Sequence, residues 1–190
     1  MPSSFLFSLL GIGVPALVIL WGIFAYNRLV KYRQQVSEGW SGIDVQLKKR
    51  SNLIPNLVKV VKGYAAHEKS TLAEVTKLRA QCVSSVGNSV DQRGKVEGGL
   101  ASALTRLLLV AENYPDLKAD GSFRDLQSTL TEVENDIEMA RRYYNGAVRL
   151  MNVSVESFPS NLIAKQFHFI RAEYFQLENP DDRQAPGVKL

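Results

Sequence analysis

From Phe5 to Tyr26 the chain reads FLFSLLGIGVPALVILWGIFAY and carries no charged side chain. As a helix this run is roughly 33 Å long, close to the ~30 Å hydrocarbon core of a bilayer. No polar stripe interrupts it, so it does not suit a helix that keeps one face in water. A cleaved secretory leader is the rival reading, and the sequence opposes it. Residues 1 to 5 hold no basic side chain, the run exceeds a usual h-region, and Tyr26-Asn27-Arg28 stands where small-x-small cleavage residues would be. The organisation expected is an N-terminal transmembrane anchor over 1–26, a water-compatible domain over 27–178 and a Pro- and Asp-rich, poorly ordered tail over 179–190.

Positive charge lies on one side of the run. None precedes it, while Arg28, Lys31 and Arg33 follow it directly. The positive-inside rule then puts the N-terminus outside and the larger part of the chain in the cytoplasm, with Trp21 and Tyr26 near the cytoplasmic interface. Pro15 is placed to kink the span. Gly11, Gly13 and Ala16 make a patch of small residues but no GxxxG.

The formal charge of +4 is concentrated just beyond the span. Six basic residues (Arg28, Lys31, Arg33, Lys48, Lys49, Arg50) face only Glu38 and Asp44 there, whereas Ser51 to Leu190 balances 17 basic against 17 acidic residues. Two readings stay open. The excess either sets topology and covers a solvated helix face, or it meets anionic headgroups at ~1 kcal/mol per basic residue near the surface. Lys48, Lys49 and Arg50 lie ~30 Å further along a helix and reach headgroups only if that helix tilts or folds back. No basic stripe with interleaved aromatics occurs, so nucleic acid is not an expected partner. Cys82 is the single cysteine; it cannot form an internal disulfide, which agrees with a reducing compartment.

Apolar residues recur at helical spacing through the domain, and nothing reads as a strand. Val36, Trp40, Ile43, Leu47, Ile54, Leu57, Val61, Tyr64, Leu72, Val75 and Leu78 form one seam. Pro55 sits inside it. Either one long helix kinks there, or Asn52 caps a new helix with Pro55 in its first turn. Asn52 and Asn56 are then candidates to cap backbone groups freed at the proline. Val83 to Lys95 reads as a loop, Val96 to Ala111 as a short helix, and Ser122 as the N-cap of the next one. Phe123, Leu126, Leu130, Val133, Ile137, Ala140, Tyr144, Val148, Met151, Val155 and Phe158 mark that long helix, which Pro159 stops. Leu162 to Leu177 supplies a last amphipathic helix. Such stripes must pack on one another, so the fold class expected is all-α, an antiparallel bundle of four to five helices behind the anchor.

Chemistry is sparse in this pattern. His67 and His168 are preceded three positions earlier by Tyr64 and Lys165, so neither completes a Glu-x-x-His pair, and there is no HExxH or Cys/His cluster. Glu132, Glu134, Asp136 and Glu138 read as a solvated helix face, with Glu138 four residues before Arg142. No phosphate-binding loop is present, since Gly11-Ile12-Gly13 lies inside the span. The residues point to no catalytic group, metal ligand or cofactor, and so to a protein that is not an enzyme.

Several segments together are distinctive. They are Tyr26-Asn27-Arg28-Leu29-Val30, Trp40-Ser41-Gly42-Ile43-Asp44-Val45-Gln46-Leu47, Asn52-Leu53-Ile54-Pro55-Asn56-Leu57-Val58 and Val61-Lys62-Gly63-Tyr64-Ala65-Ala66-His67-Glu68. Further on come Ala111-Glu112-Asn113-Tyr114-Pro115-Asp116-Leu117-Lys118-Ala119, Ala140-Arg141-Arg142-Tyr143-Tyr144-Asn145 and Phe158-Pro159-Ser160-Asn161-Leu162. In this order, through about Glu178, they resemble the LemA family. The resemblance implies a bacterial single-pass inner-membrane protein with a cytoplasmic helical bundle and no established catalytic site. Relatives are described as membrane-associated, some at magnetosome membranes and some beside membrane proteases. Two departures stand out: Asn52 where Asp is more usual, and Met151 in place of a frequent Tyr. An Asp at 52 could pair with Arg50, and Asn cannot. The partners expected are the lipid bilayer and a protein of unknown identity, with no small-molecule substrate.

Overall fold

The computed structural model describes the backbone from Pro2 to Gln176 and side chains from Gly13 onward; the expected tail at 179–190 lies outside the described residues. Among the described residues there are six helices: α1 Pro2–Tyr64, α2 Lys69–Ser84, α3 Val90–Ala111, α4 Pro115–Ala119, α5 Gly121–Glu156 and α6 Ser160–Gln166. No strand occurs among the described residues. The all-α class is as expected; the higher helix count comes from α4, which was not expected, and from α2, which stands apart from α1 because the seam breaks after Tyr64. The chain divides into two compact units. One takes the residues up to Gly39 together with Tyr144–Ala172, the other Trp40–Tyr143 together with the residues from Glu173.

The larger unit is built on the long seam. Ile54, Leu57, Val61 and Ala65 bury against Leu72 and Val75 of α2, Leu100, Leu104 and Leu107 of α3, Leu117 of α4 and Phe123 and Leu130 of α5. Burial of each such side chain contributes on the order of 1.5–3 kcal/mol, which is what holds these helices together. Two tyrosine–carboxylate hydrogen bonds tie the connections between these helices in place. Tyr64 donates its hydroxyl to Asp120 at 2.9 Å and Tyr114 donates to Glu68 at 3.0 Å.

Pro55 does not divide α1, which is helical from Pro2 to Tyr64. A proline leaves the carbonyl four residues earlier without its helical donor, here that of Ser51. Arg79 of α2 supplies a donor instead, with its Nε 2.8 Å from the Ser51 oxygen. This corrects the expectation that Asn52 and Asn56 serve the break, since both stand exposed. The cap of α5 also differs from expectation. Asp120, not Ser122, accepts the Phe123 N–H at 2.9 Å, because α5 begins at Gly121 and a cap must precede the first turn. The loop expected over 83–95 is shorter too. Ser89 accepts from the Gln92 N–H at 3.3 Å and starts α3 at Val90, with Gly87 at φ 96° making the turn before it.

The smaller unit has its own core, Leu29, Met151, Ala164 and Phe169, with Val30, Val36, Val155 and Ile163 against it. At the end of α5 the Ser160 hydroxyl lies 2.7 Å from the Ser154 carbonyl, serving one of the four oxygens a helix end leaves free. The last expected helix is a correction: α6 covers only Ser160–Gln166. His168 takes a left-handed backbone, φ 55°, and the Phe169 N–H turns back to the Ala164 carbonyl at 2.9 Å. From Phe169 to Gln176 the chain is neither helix nor strand. Asn152 holds this strap like a neighbouring strand would, donating to the Ala172 carbonyl at 3.0 Å and accepting from its N–H at 2.8 Å.

Candidate functional site

Two features stand apart from ordinary core and surface. The first is the outer face of α1. Leu17, Ile19 and Phe24 are 67%, 64% and 72% exposed, and Val14, Val18, Leu20 and Ile23 are exposed as well. Only 11% of the most apolar 18-residue window of this helix is buried. A core helix would have these side chains covered by its own chain. Of the basic residues expected to face lipid, Arg28, Lys31, Arg33, Lys48 and Lys49 are exposed. Arg33 lies over the Phe169 ring at 5.2 Å, and Lys49 is 4.0 Å from Asp136.

Arg50 does not belong with them. It is 0% exposed, so its place among lipid-facing residues is corrected. Its guanidinium donates to both carboxylate oxygens of Glu134 at 3.0 and 3.1 Å, to the Glu97 carbonyl at 3.2 Å and to the Glu97 carboxylate. The reason is register. Leu47 and Ile54 are seven apart, and position 50 is the missing core step between them. Burial alone would lower the Arg50 pKa, but the charges of Glu134 and then Glu97 outweigh it and leave it raised.

The second feature is the charge layer around this arginine. Glu97 is 3% exposed and Arg93 5%. Arg93 pairs with Asp44 and lies over the Trp40 ring at 5.4 Å, and Trp40 meets Phe175 edge-on at 5.6 Å. Trp40 and Asp44, one turn apart on α1, thus hold one buried cation, while α3 and α5 supply the anions for another. The sequence held a signal for this: the α3 stripe of Leu100, Leu104 and Leu107 runs backward in phase to Glu97 and Arg93. Glu134 departs from the solvated face expected of its cluster: it is half-buried, with its carboxylate turned to Arg50. Glu138 keeps its expected partner Arg142, at 3.5 Å.

A cleft of about 390 Å³ opens beside the layer, lined by Asp44, Lys48, Asn52, Arg79, Cys82 and Arg93 among others. Cys82 is the one thiol there, and it is poorly suited to attack. Burial first, then the Glu97 charge, push its thiol up to about 12. The sulfur stands 3.7 Å from the Val96 carbonyl. Among the described residues no group of three or more His, Cys, Asp or Glu could hold a metal ion. His67 and His168 both stand exposed. The arrangement neutralises and locks a core; it presents no base–nucleophile pair.

An apolar N-terminal helix with an uncovered face, followed by a helical domain with a charge-locked core, defines a membrane-associated helical protein. The chain belongs to the LemA family, whose model matches residues 39–190. Among curated proteins it is 28% identical to Magnetosome protein MamQ 1 of Paramagnetospirillum magneticum over 178 residues, covering 81% of this chain and 65% of the relative. It is 26% identical to Magnetosome protein MamQ of Magnetospirillum gryphiswaldense, covering 80% and 65%. With Protein LemA of Metamycoplasma hominis it shares 25% identity, covering 84% of this chain and 75% of the relative. The chain therefore spans about two-thirds of the length of its magnetosome relatives, at 65%.

Proposed function

We propose that the chain is a single-pass, membrane-anchored, non-enzymatic interaction or scaffold module of a bacterial inner membrane. The N-terminus lies outside and the helical domain over 27–178 lies in the cytoplasm. The observation that carries this reading is the uncovered apolar face from Val14 to Phe24, followed at once by exposed Arg28, Lys31 and Arg33. Seven large apolar side chains left in water have no compensation within the chain, and a bilayer supplies it. The basic side chains then lie on the side the positive-inside rule assigns to the cytoplasm.

Lack of a reactive constellation supports binding over catalysis. The cleft beside the charge layer offers a raised thiol and paired ions. Alkaline extraction of native membranes, followed by thiol labelling of a cysteine placed at residue 3 or 106, tests anchor and sidedness together. Retention in the pellet is expected, with position 3 labelled from outside and 106 only after lysis. Release into the supernatant ends the anchor reading, and the reverse labelling ends the sidedness.

The magnetosome relatives favour a second reading, in which the domain organises an anionic lipid surface. Arg28, Lys31, Arg33, Lys48 and Lys49 would make those contacts, without Arg50. Replacing the five by Gln should then weaken sedimentation with phosphatidylglycerol vesicles in a salt-dependent way, and unchanged sedimentation removes this reading.

A further inference from the structure

We propose that the turn between α5 and α6, Ser157–Leu162, is a second membrane contact that dips into the lipid beside the span. The inference rests on the span reading above and adds a lipid-facing site to it. The contacts within the smaller unit set its depth. A side-chain carbon on Gly22 would lie 3.8 Å from Ile163 Cδ1, and the Tyr26 ring meets Phe167 at 4.8 Å and Phe169 at 5.7 Å. Four residues along α6 thus match four residues along α1, so the two run side by side in the same direction. Going backward along α6 leads towards lower numbers on α1, deeper into the apolar run. Tyr26 sits where a ring favours the interface, and Gly22 is ~6 Å further in. The turn that precedes Ile163 lies deeper still, within the ~5–10 Å reached by interfacial helices.

Its chemistry fits that depth. Between Glu156 and Lys165 the chain reads SFPSNLIA, with no charge. Phe158 is 80% exposed and Leu162 58%, at a tip where water alone would be a poor solvent for both. Backbone groups at the tip are already used: the Leu162 N–H bonds the Pro159 carbonyl at 3.1 Å and the Asn161 N–H the Ser157 carbonyl at 2.8 Å. Charged groups flank the tip instead. Glu156 pairs with Arg171 at 2.8 Å, and Lys165 is exposed. The partner is therefore the headgroup–acyl boundary of the leaflet on the basic side, continuous with the lipid that covers Val18 to Phe24.

Ile170 supplies the internal control. It is as exposed as Phe158, at 79%, but lines a small cleft with Arg33, Val36 and Met151, beyond Tyr26 on the polar side. The test uses the full chain in phosphatidylcholine–phosphatidylglycerol vesicles, with Cys82→Ala and single nitroxide labels at Val18, Phe158, Leu162 or Ile170. Collision with oxygen relative to a water-soluble nickel chelate reads depth. The ratio at 158 and 162 should exceed that at 170 severalfold and approach that at 18. If 18 lies in lipid while 158 and 162 match 170, the turn does not insert and this inference falls alone. If 18 is itself aqueous, the span reading falls and takes the inference with it. The unmodified chain gives a check free of labelling effects. A phospholipid with a photoreactive diazirine near its headgroup should leave adducts on the peptide holding Phe158–Leu162, and adducts confined to residues 13–26 overturn the proposal.

Discussion

The two compact units close their cores in opposite ways. In the larger one a layer of ions is drawn inside: Arg50 is fully enclosed between Glu97 and Glu134, and Arg93 between Asp44 and Trp40. In the smaller one the core is built around Leu29, Met151, Ala164 and Phe169, and Phe158, Leu162 and Ile170 are left outside it. A domain that hides charge and a unit that shows hydrocarbon are built for different surroundings. Internal ion pairs are a weak source of net stability and a strong source of register, because any shift of α1 against α3 or α5 separates them. Uncovered apolar rings make sense only where something other than water meets them.

Removing Arg50 is the sharpest way to break this contrast. Arg50→Ala leaves Glu97 enclosed with only the longer pair to Arg93, at 4.0 Å, and should lower stability by about 3–5 kcal/mol, read as a lower urea midpoint of the chain in detergent. Arg50→Met with Glu97→Leu should recover much of that loss, because a neutral pair needs no partner. A loss from Arg50→Ala as small as a surface substitution would show that the layer is not a lock.

The next largest effect is expected where the strap crosses α3. Gly94 is buried, and a methyl there would overlap the Gln176 carbonyl and touch the Phe175 ring. Gly94→Ala should cost about 1–3 kcal/mol and free residues 173–176, seen as faster amide exchange there. In the smaller unit Asn152→Ala removes both bonds to Ala172, worth about 1–2 kcal/mol. Faster exchange of the Ala172 amide is the specific readout, and unchanged protection would break the comparison from that side.

The smallest effect concerns acid. The Phe123 N–H, then the Tyr64 hydroxyl, hold the Asp120 carboxyl below the ordinary carboxylate range. A lowered folded value means that the stabilisation is present above the unfolded pKa, about 4, and is lost as pH falls through the folded one. Asp120→Asn should therefore flatten the stability profile below about pH 4 and leave its shape near pH 7 unchanged.

Much of this architecture is legible in period alone. Most of the seam from Val36 to Leu78 and the stripe of α5 as far as Val155 lie where three-and-four spacing puts them, while Tyr64 and Phe158 stand exposed. What period misreads is specific. Arg50, Arg93 and Glu97 occupy core register, but a charge in a sequence is counted as surface until its partners are known, and those are 47 or more residues away for Arg50. Phe167, Ile170 and Tyr174 fit a helical stripe well enough to hide that His168 turns the backbone and ends α6. No glycine marks that turn, so no local signal announced it. Pro55 shows the converse: the phase of the seam ran across it correctly, while the donor that makes this possible, Arg79, sits in another helix.

The smaller unit is discontinuous: residues up to Gly39 group with Tyr144–Ala172. During synthesis the first helix emerges and meets its surroundings while everything it packs on within its own unit is still unmade. Leu29 must wait for Met151, Ala164 and Phe169, with the whole of Trp40–Tyr143 produced in between. Completion of the first-made part is thus deferred to nearly the last-made part, a long closure that makes the nascent chain depend on an early foothold outside itself.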